Sequence, residues 1–320
     1  MRIILRLAGL SNVLFAFYFM ASLLLCHCSG GLNYQANMQT DHFIYSGIAD
    51  EAGQDVQTQI RAHQELGWRF IEPRLVNKVQ FTDLPDDQFD AACALLATAK
   101  IQVSSFASGI ANWACKITDP LEKSTVTLSR AINRMHRLDA KFIRVMSYPN
   151  DGLPEPQWRD EVVRRFRVLA KIAEDAGIVL LVENCDDWAS QSPANYRQFF
   201  ETVNSPAVKA VYDTGNAASH GHTNTWEWYQ AAKPHIAYIH IKAHTGPGGT
   251  HVWPDTGASM ISETLIDLKA NGYRGFISIE PHIQSVIHEA KGASDEEAAF
   301  RCYVEYGRRL MRLIERLNLM

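Results

Sequence analysis

After about residue 40, the chain alternates between short apolar runs and longer segments in which apolar residues recur every three or four positions. The short runs are almost continuously apolar, which is typical of parallel strands covered on both faces. The longer segments have the period of amphipathic helices. In one of them Val162, Phe166, Leu169 and Ala173 share a face, and Gly177 supplies a helix-ending residue. The predicted strands lie near residues 42–49, 69–74, 102–108, 142–148, 178–183, 208–213, 236–240 and 275–280, and the predicted helices near 55–66, 88–99, 120–138, 162–177, 194–203, 225–233, 259–270 and 295–317.

Eight strands that alternate with eight helices predict an α/β fold of the (β/α)8 TIM barrel type. The competing architecture is a doubly wound open sheet, which usually carries a glycine-rich first turn. The first turn here, ADEAGQD, lacks that fingerprint. No linker, short repeat or low-complexity tract interrupts the pattern. The sequence therefore predicts a single barrel domain over residues 41–318, preceded by a hydrophobic leader.

The first thirty residues have a different character. Arg2 and Arg6 precede an uncharged run at 7–26, and small residues follow at 29–31. This pattern predicts a signal peptide at residues 1–30 and export from the cytoplasm. The run is long enough to cross a bilayer, so an uncleaved membrane anchor is a second interpretation. The third is a misassigned start, with translation from Met38 and a cytoplasmic protein.

Composition narrows the class of protein. The 320 residues are 47% hydrophobic and 21% charged, which supports a large core and argues against wholesale disorder. Without residues 1–37 the chain has 29 basic and 35 acidic residues, so the net charge moves from −4 to −6. An acidic surface repels a phosphate backbone, and we expect no nucleic acid partner. The cysteines outside the leader lack the spacing of a zinc site or a disulfide framework. They are Cys93, Cys115, Cys185 and Cys302.

Four successive apolar runs end on a residue that can bind a metal: Glu183, Asp213, His240 and Glu280. The carboxyl ends of barrel strands form one rim, where active sites lie, so we expect these side chains to meet. Three carboxylates and one imidazole favour Mn²⁺ or Mg²⁺, with Co²⁺ or Zn²⁺ tolerated. Taken singly, each residue could equally form a salt bridge or cap a helix. Together, unpaired acids on one rim repel each other unless a cation neutralises them.

The motifs VENCDDW, VYDTGNAA, YIHIKAH and NGYRGFISIEPH resemble the sugar phosphate isomerase/epimerase family with the xylose isomerase-like barrel. That family includes ketose 3-epimerases, hydroxypyruvate isomerases and inosose dehydratases, and the resemblance spans the chain after the leader. It implies that Glu183, Asp213, His240 and Glu280 hold one divalent metal. It also implies an enediolate mechanism, in which Glu183 and Glu280 face opposite sides of the substrate carbon and act as the catalytic residues. The product would be an epimer, or an aldose-ketose isomer if the proton returns to the neighbouring carbon.

Further residues are expected to bind a carbohydrate substrate. Lys242 lies two positions after His240, and His282 lies two after Glu280, so both point to the same rim as those ligands. The other expected contacts are Arg74, Trp113, Trp188 and Asn216. For each of them a structural role is the alternative: surface lysine, ion pair or loop packing.

Three positions depart from the ketose 3-epimerases that the chain resembles. Asn216 stands where those epimerases have a substrate-contacting histidine. Ala189 stands in place of a second glutamate, and Gly246 stands in place of an arginine. These differences argue against ketohexose 3-epimerase specificity. The first alternative function is a dehydratase of the inosose dehydratase type, since the same enediolate can expel a hydroxyl group. An abasic-site endonuclease and a non-catalytic sugar-binding protein are further alternatives, and assembly into a homo-oligomer remains open.

Overall fold

The computed structural model describes residues 42–283 and 296–320. Within them, short parallel strands alternate with helices in the order that the hydrophobic pattern predicts. The barrel strands are β1 (Ile44–Gly47), β2 (Phe70–Ile71), β3 in two pieces (Gln102–Val103 and Phe106–Ala107), β4 (Phe142–Val145), β5 (Val179–Glu183), β6 (Val208–Asp213), β7 (Ile236–Ile241) and β8 (Phe276–Ile279).

Parallel pairing runs through the whole set of strands and closes it. One sheet has the order β1, β8, β7, β6, β5, β4 and the second piece of β3. The first piece of β3 pairs with β2, and a parallel bridge between Ile48 and Glu72 joins β2 to β1. The predicted (β/α)8 barrel is therefore confirmed, and the open doubly wound sheet is excluded.

Helices follow the strands and cover the outside of the barrel. Asp55 caps the first one by accepting a 2.9 Å hydrogen bond from the backbone N–H of Thr58. Gly177 ends the fourth with φ of 66°, a left-handed conformation that favours glycine. The helices are α1 (Val56–Glu65), α2 (Asp86–Ala99), α3 (Leu121–Arg137), α4 (Glu155–Ala176), α5 (Pro193–Val203), α6 (Thr225–Ala232), α7 (Ile261–Ala270) and α8 (Glu296–Arg316), with a short helix at Asn216–Ser219.

Side chains inside the barrel change from apolar to polar toward the carboxyl ends of the strands. Alternate residues of a strand share one face, so β7 presents Tyr238 and His240 to the interior, and Lys242, directly after β7, continues that face. The apolar layer is a separate buried cluster of Ile44, Phe142, Val179, Leu181, Val211, Tyr238 and Phe276. A larger apolar cluster fills the space between strands and helices. The polar rim therefore lies above a buried apolar layer.

Several predicted boundaries differ from the structure. Helix α4 begins at Glu155, seven residues before Val162, the first residue of its predicted apolar face, since Pro154 and Pro156 favour an earlier start. Strand β3 breaks at Ser104, whose hydroxyl bonds to the carbonyl of Ile71 and to Ser46. Within the described residues, no helix has the length and apolarity needed to cross a bilayer. The predicted leader at 1–30 lies outside these residues and stays a prediction, as does its alternative start at Met38.

Candidate metal centre

The four predicted ligands meet at the carboxyl rim. Glu183 ends β5, Asp213 ends β6, His240 lies near the end of β7, and Glu280 follows β8. Asp213 and His240 are direct partners in the β6–β7 register. All four side chains are buried, and one potential ligand atom from each lies within 4.8 Å of those of the others. Barrel closure thus produces the convergence that the sequence pattern predicts.

Asp213 supplies a carboxylate oxygen suited to a cation. Its Oδ1 accepts hydrogen bonds from the backbone N–H groups of Gly215 and Asn216 at 2.8 and 2.7 Å. Its buried Oδ2 has no hydrogen bond within the described structure, although Nζ of Lys242 lies 3.2 Å away. Burial is the main reason that the pKa of Asp213 rises to about 6. A buried oxygen without a hydrogen bond, next to three other ligand atoms, fits a divalent cation.

Glu183 is held by groups from three elements. Arg144 of β4 donates from Nη1 to Oε2 at 2.9 Å, and Asn216 donates from Nδ2 to Oε1 at 3.3 Å. Nδ1 of His240 lies 3.3 Å from the same Oε1. Burial alone would raise the pKa of Glu183, but the charge of Arg144 and the contact with His240 outweigh it and hold that pKa well below its usual range. Glu183 is therefore ionised at neutral pH.

Glu280 has cationic partners on both carboxylate oxygens. Lys242 donates to Oε2 at 2.6 Å, while Arg74 donates to Oε1 at 2.8 Å. Nε2 of His282 lies 3.3 Å from Oε1. Burial opposes ionisation, but the charges of Lys242, His282 and Arg74 depress the pKa of Glu280 well below its usual range. Both glutamates are therefore anionic and fixed in place.

His240 lies between two carboxylates. Its Nδ1 faces Glu183, and its Nε2 lies 3.2 Å from Oε2 of Glu72. Burial would lower the pKa of His240, yet the charges of Glu72 and Glu183 raise it to about 10. Since Nδ1 is the nitrogen beside another predicted ligand, Nδ1 is the atom available to a metal.

The other predicted substrate-binding residues divide into two groups. Lys242, Arg74 and His282 are buried against Glu280, and Asn216 is buried against Glu183. These four lie in the cluster or directly against it. Lys242 is therefore not a surface lysine, whereas Arg74 forms the ion pairs that were the alternative to substrate binding.

The two predicted tryptophans have different environments. Trp113, after β3, is 46% exposed and can offer a ring to a ligand. Trp188, after β5, has no exposed surface, and its Nε1 donates to Oε1 of Glu155 at 3.1 Å. Trp188 therefore packs its loop and does not offer a face for sugar stacking. Loop conformation decides this difference, and the hydrophobic pattern contains no information about it.

Sequence analysis missed two residues of the centre. Arg144 is 2% exposed inside β4 and pairs with Glu183. The available signal was a single charged residue within the apolar run FIRV. Glu51 was also missed: it follows β1, and its Oε1 lies 3.1 Å from Nε2 of His282 and 3.3 Å from Nη2 of Arg74. Its signal was the acidic pair that follows the first strand.

A family model described as xylose isomerase-like TIM barrel matches residues 60–302. The chain belongs to this family. No curated protein matches the chain in sequence. Solved structures match it in fold at low identity.

One similar structure is a xylose isomerase-like TIM barrel protein from Mycobacterium smegmatis in complex with magnesium, with 18% identity, TM-score 0.62 and coverage of 87% of this chain and 100% of that one. Another is D-allulose 3-epimerase from Methylomonas sp. in complex with D-allulose, with 19% identity, TM-score 0.63 and coverage of 86% and 97%. A third is the probable 3-DHS dehydratase from Bacillus anthracis, with 14% identity, TM-score 0.65 and coverage of 84% and 99%. These similarities support the barrel fold. The chemistry has to be inferred from the residues of this chain.

Proposed function

We propose that this protein is a divalent-metal-dependent isomerase or epimerase of a keto sugar or sugar derivative. The observation that carries the proposal is the buried cluster of Glu183, Asp213, His240 and Glu280, with ligand atoms within 4.8 Å of one another. Membership of the family and the likeness to a D-allulose 3-epimerase support it. Mn²⁺ or Mg²⁺ suits the donor set best because three of the four ligands are carboxylates.

A cation bound by these residues would supply Lewis acidity at a substrate ketone, which makes the neighbouring C–H more acidic. The remaining chemistry belongs to the chain. Glu183 on β5 and Glu280 after β8 come from strands separated by β6 and β7, so they approach the centre from different directions. Both are ionised, which leaves each able to accept a proton from carbon. Proton removal by one glutamate gives an epimer if the other, after taking up a proton from solvent, delivers it to the opposite face of the carbon.

The surrounding cations suit the charge that develops on the substrate. Removing a proton from carbon places negative charge on the enediolate oxygens. Lys242 is buried and fixed 2.6 Å from Glu280, so its ammonium group can also donate to a substrate oxygen in the same space. Fixed donors in a water-excluded site stabilise such charge without reorganisation.

A dehydratase is the second candidate, and the positions that depart from the epimerase pattern favour it. Ala189 is fully buried, and its N–H donates to Ser147 at 2.9 Å. Gly246 has φ of 111° and carries no side chain to hold a substrate. The epimerase contacts expected at these positions are therefore missing from the centre. If a leaving hydroxyl group lies next to the enediolate carbon, the same proton abstraction ends in loss of water.

Incubation of the Mn²⁺-loaded protein in D₂O with ketoses and keto-inositols tests the proposal. Deuterium at carbon without loss of water, observed by NMR, supports the isomerase or epimerase, whereas a rising enone absorbance supports the dehydratase. Glu183→Gln and Glu280→Gln should each abolish the chemistry, and Glu263→Gln, an exposed change on α7, should leave it intact.

Other outcomes would overturn the proposal. Nicking of abasic plasmid at the rate of a known endonuclease would identify a DNA repair enzyme. The protein would be a sugar-binding protein if neither wild type nor Glu183→Gln turned over any ketose and both bound a sugar tightly.

A further inference from the structure

Glu72 is a buried carboxylate at the end of β2 that none of the assigned roles includes. Its side chain is fully buried on the inner face of the barrel, beneath the four ligands. Among residues 42–283 and 296–320, its hydrogen-bond partners are Nε2 of His240, at 3.3 and 3.2 Å from its two oxygens, and Oγ of Ser278, at 2.6 Å. The carboxylate thus joins β2 to β7 and β8 across the barrel interior.

The cationic side chains of the centre bind other carboxylates. Arg74, two residues later on the same strand face, contacts Asp50, Glu51 and Glu280. Glu72 is left with His240 as its charged partner, at 3.2 Å. Because a buried carboxylate needs such a partner, the role of Glu72 must be sought in its contact with His240.

The contact with His240 defines that role. A histidine that binds a metal through one ring nitrogen commonly donates the other N–H to a carboxylate, which fixes the tautomer and the ring orientation. Here Nδ1 faces Glu183 in the ligand cluster, and Nε2 faces Glu72. With the Nε2–H bonded to Glu72, Nδ1 faces the ligand cluster, and its lone pair becomes available to a cation when Nδ1 loses its proton. The edge-to-face packing of His240 on Tyr238, with ring centroids 5.7 Å apart, restrains the same ring from below.

We propose that Glu72 is the positioning residue of the metal centre: it accepts the Nε2–H of His240 and so presents Nδ1 to the divalent cation. This inference rests on the proposed metal-dependent function. It identifies Glu72 as a residue that sets the affinity of the site for its metal. Glu72 itself contacts neither the cation nor the substrate.

Binding of Mn²⁺ to the full chain, measured by electron paramagnetic resonance of the free ion, tests this role. Glu72→Met removes the acceptor and should raise the Mn²⁺ dissociation constant about 10–100-fold, the usual effect of losing such a partner. Glu72→Gln keeps an oxygen that can accept from Nε2 but loses the charge, so its affinity should lie between those of wild type and Glu72→Met. Glu72→Asp keeps the charge and provides a second comparison if Glu72→Met does not fold.

A matched control separates this role from loss of stability. Asp187 is also buried, but it contacts Ser147 and Ser190 and none of the four ligands. Asp187→Asn should therefore alter thermal stability and leave the Mn²⁺ dissociation constant of the folded protein unchanged. At saturating Mn²⁺ the kcat of Glu72→Gln should recover toward wild type, since its defect lies in metal affinity.

The outcomes for the two proposals are distinct. If wild type binds Mn²⁺ and the folded Glu72 variants bind it equally well, the positioning role is wrong and the proposed function stands. If those variants lose no more affinity than Asp187→Asn does, the conclusion is the same. If wild type binds none of Mn²⁺, Mg²⁺, Co²⁺ and Zn²⁺, the proposed function fails first, and the role of Glu72 fails with it.

Discussion

Removal of the positive charge of Arg144 tests the electrostatics of the centre. Its side chain is 3% exposed, and its guanidinium donates to Glu183 at 2.9 Å and to the carbonyl oxygen of Ser108 at 3.1 Å. In Arg144→Met the length is nearly kept, but Glu183 loses its strongest partner while remaining buried. Breaking a buried ion pair from one side costs about 3–5 kcal/mol. At about 2–4 °C per kcal/mol, the expected fall in Tm of the metal-free protein is about 6–20 °C.

Thermal unfolding with and without Mn²⁺ measures this effect. Because the pKa of Glu183 is depressed in the folded state, its pairing stabilises the fold above its ordinary pKa of 4.5, and this contribution is lost as the pH falls through the folded value. The difference between wild type and Arg144→Met should therefore narrow in acid. Mn²⁺ should also narrow it, since a cation neutralises the unpaired carboxylate.

Two further variants make the result decisive. Arg144→Met with Glu183→Gln removes both charges and should recover much of the lost stability. Arg130→Met breaks a half-exposed pair with Asp83 and should change the unfolding free energy by about 1 kcal/mol or less. The reasoning fails if Arg144→Met has the same Tm as Arg130→Met. It also fails if the double variant is no more stable than Arg144→Met alone.

Three other predictions concern the same rim. Chelation of the metal from the loaded protein should lower its Tm, because an ion at a free concentration of about 100 times its Kd stabilises the fold by about 2.7 kcal/mol. An unchanged melting curve would contradict this. In the metal-free protein the pairing of His240 stabilises the fold fully below pH 6.5, its ordinary pKa, and this contribution is lost as the pH rises through its raised pKa of about 10. Between these values metal binding should release about one proton, detectable by calorimetry in buffers of different ionisation enthalpy; no dependence on the buffer would refute it. Gly215→Ala would place a Cβ 2.7 Å from the carbonyl oxygen of Lys242, so it should displace β7 and weaken Mn²⁺ binding, and an unaltered affinity would show that the backbone yields elsewhere.

The sequence was sufficient to predict the barrel and its four candidate ligands for one physical reason. In a closed parallel sheet all strands end at the same rim, so residues such as Glu183 and Glu280 must approach each other even though they are distant in the chain. The two-residue period then also places Lys242 and His282 on the correct face. These inferences require only the position at which each strand ends and the alternation of side chains between the two faces of a strand.

Contacts that depend on barrel closure could not be predicted in this way. Glu72 and His240 are separated by 168 positions, and they meet only because β2 and β7 face each other across the interior. Arg144 reaches Glu183 because the β4–β5 register pairs Arg144 with Leu181, one inward position below the ligand. Periodicity gave no sign that Trp188 is buried, since its loop is fixed by hydrogen bonds and packing.

Anomalous diffraction from crystals of the Mn²⁺-loaded protein tests the central claim most directly. The account predicts one manganese peak per chain, bonded to carboxylate oxygens of Glu183, Asp213 and Glu280 and to Nδ1 of His240. A peak at another place on the rim, coordination through Nε2 of His240, or no peak in fully loaded protein would contradict it.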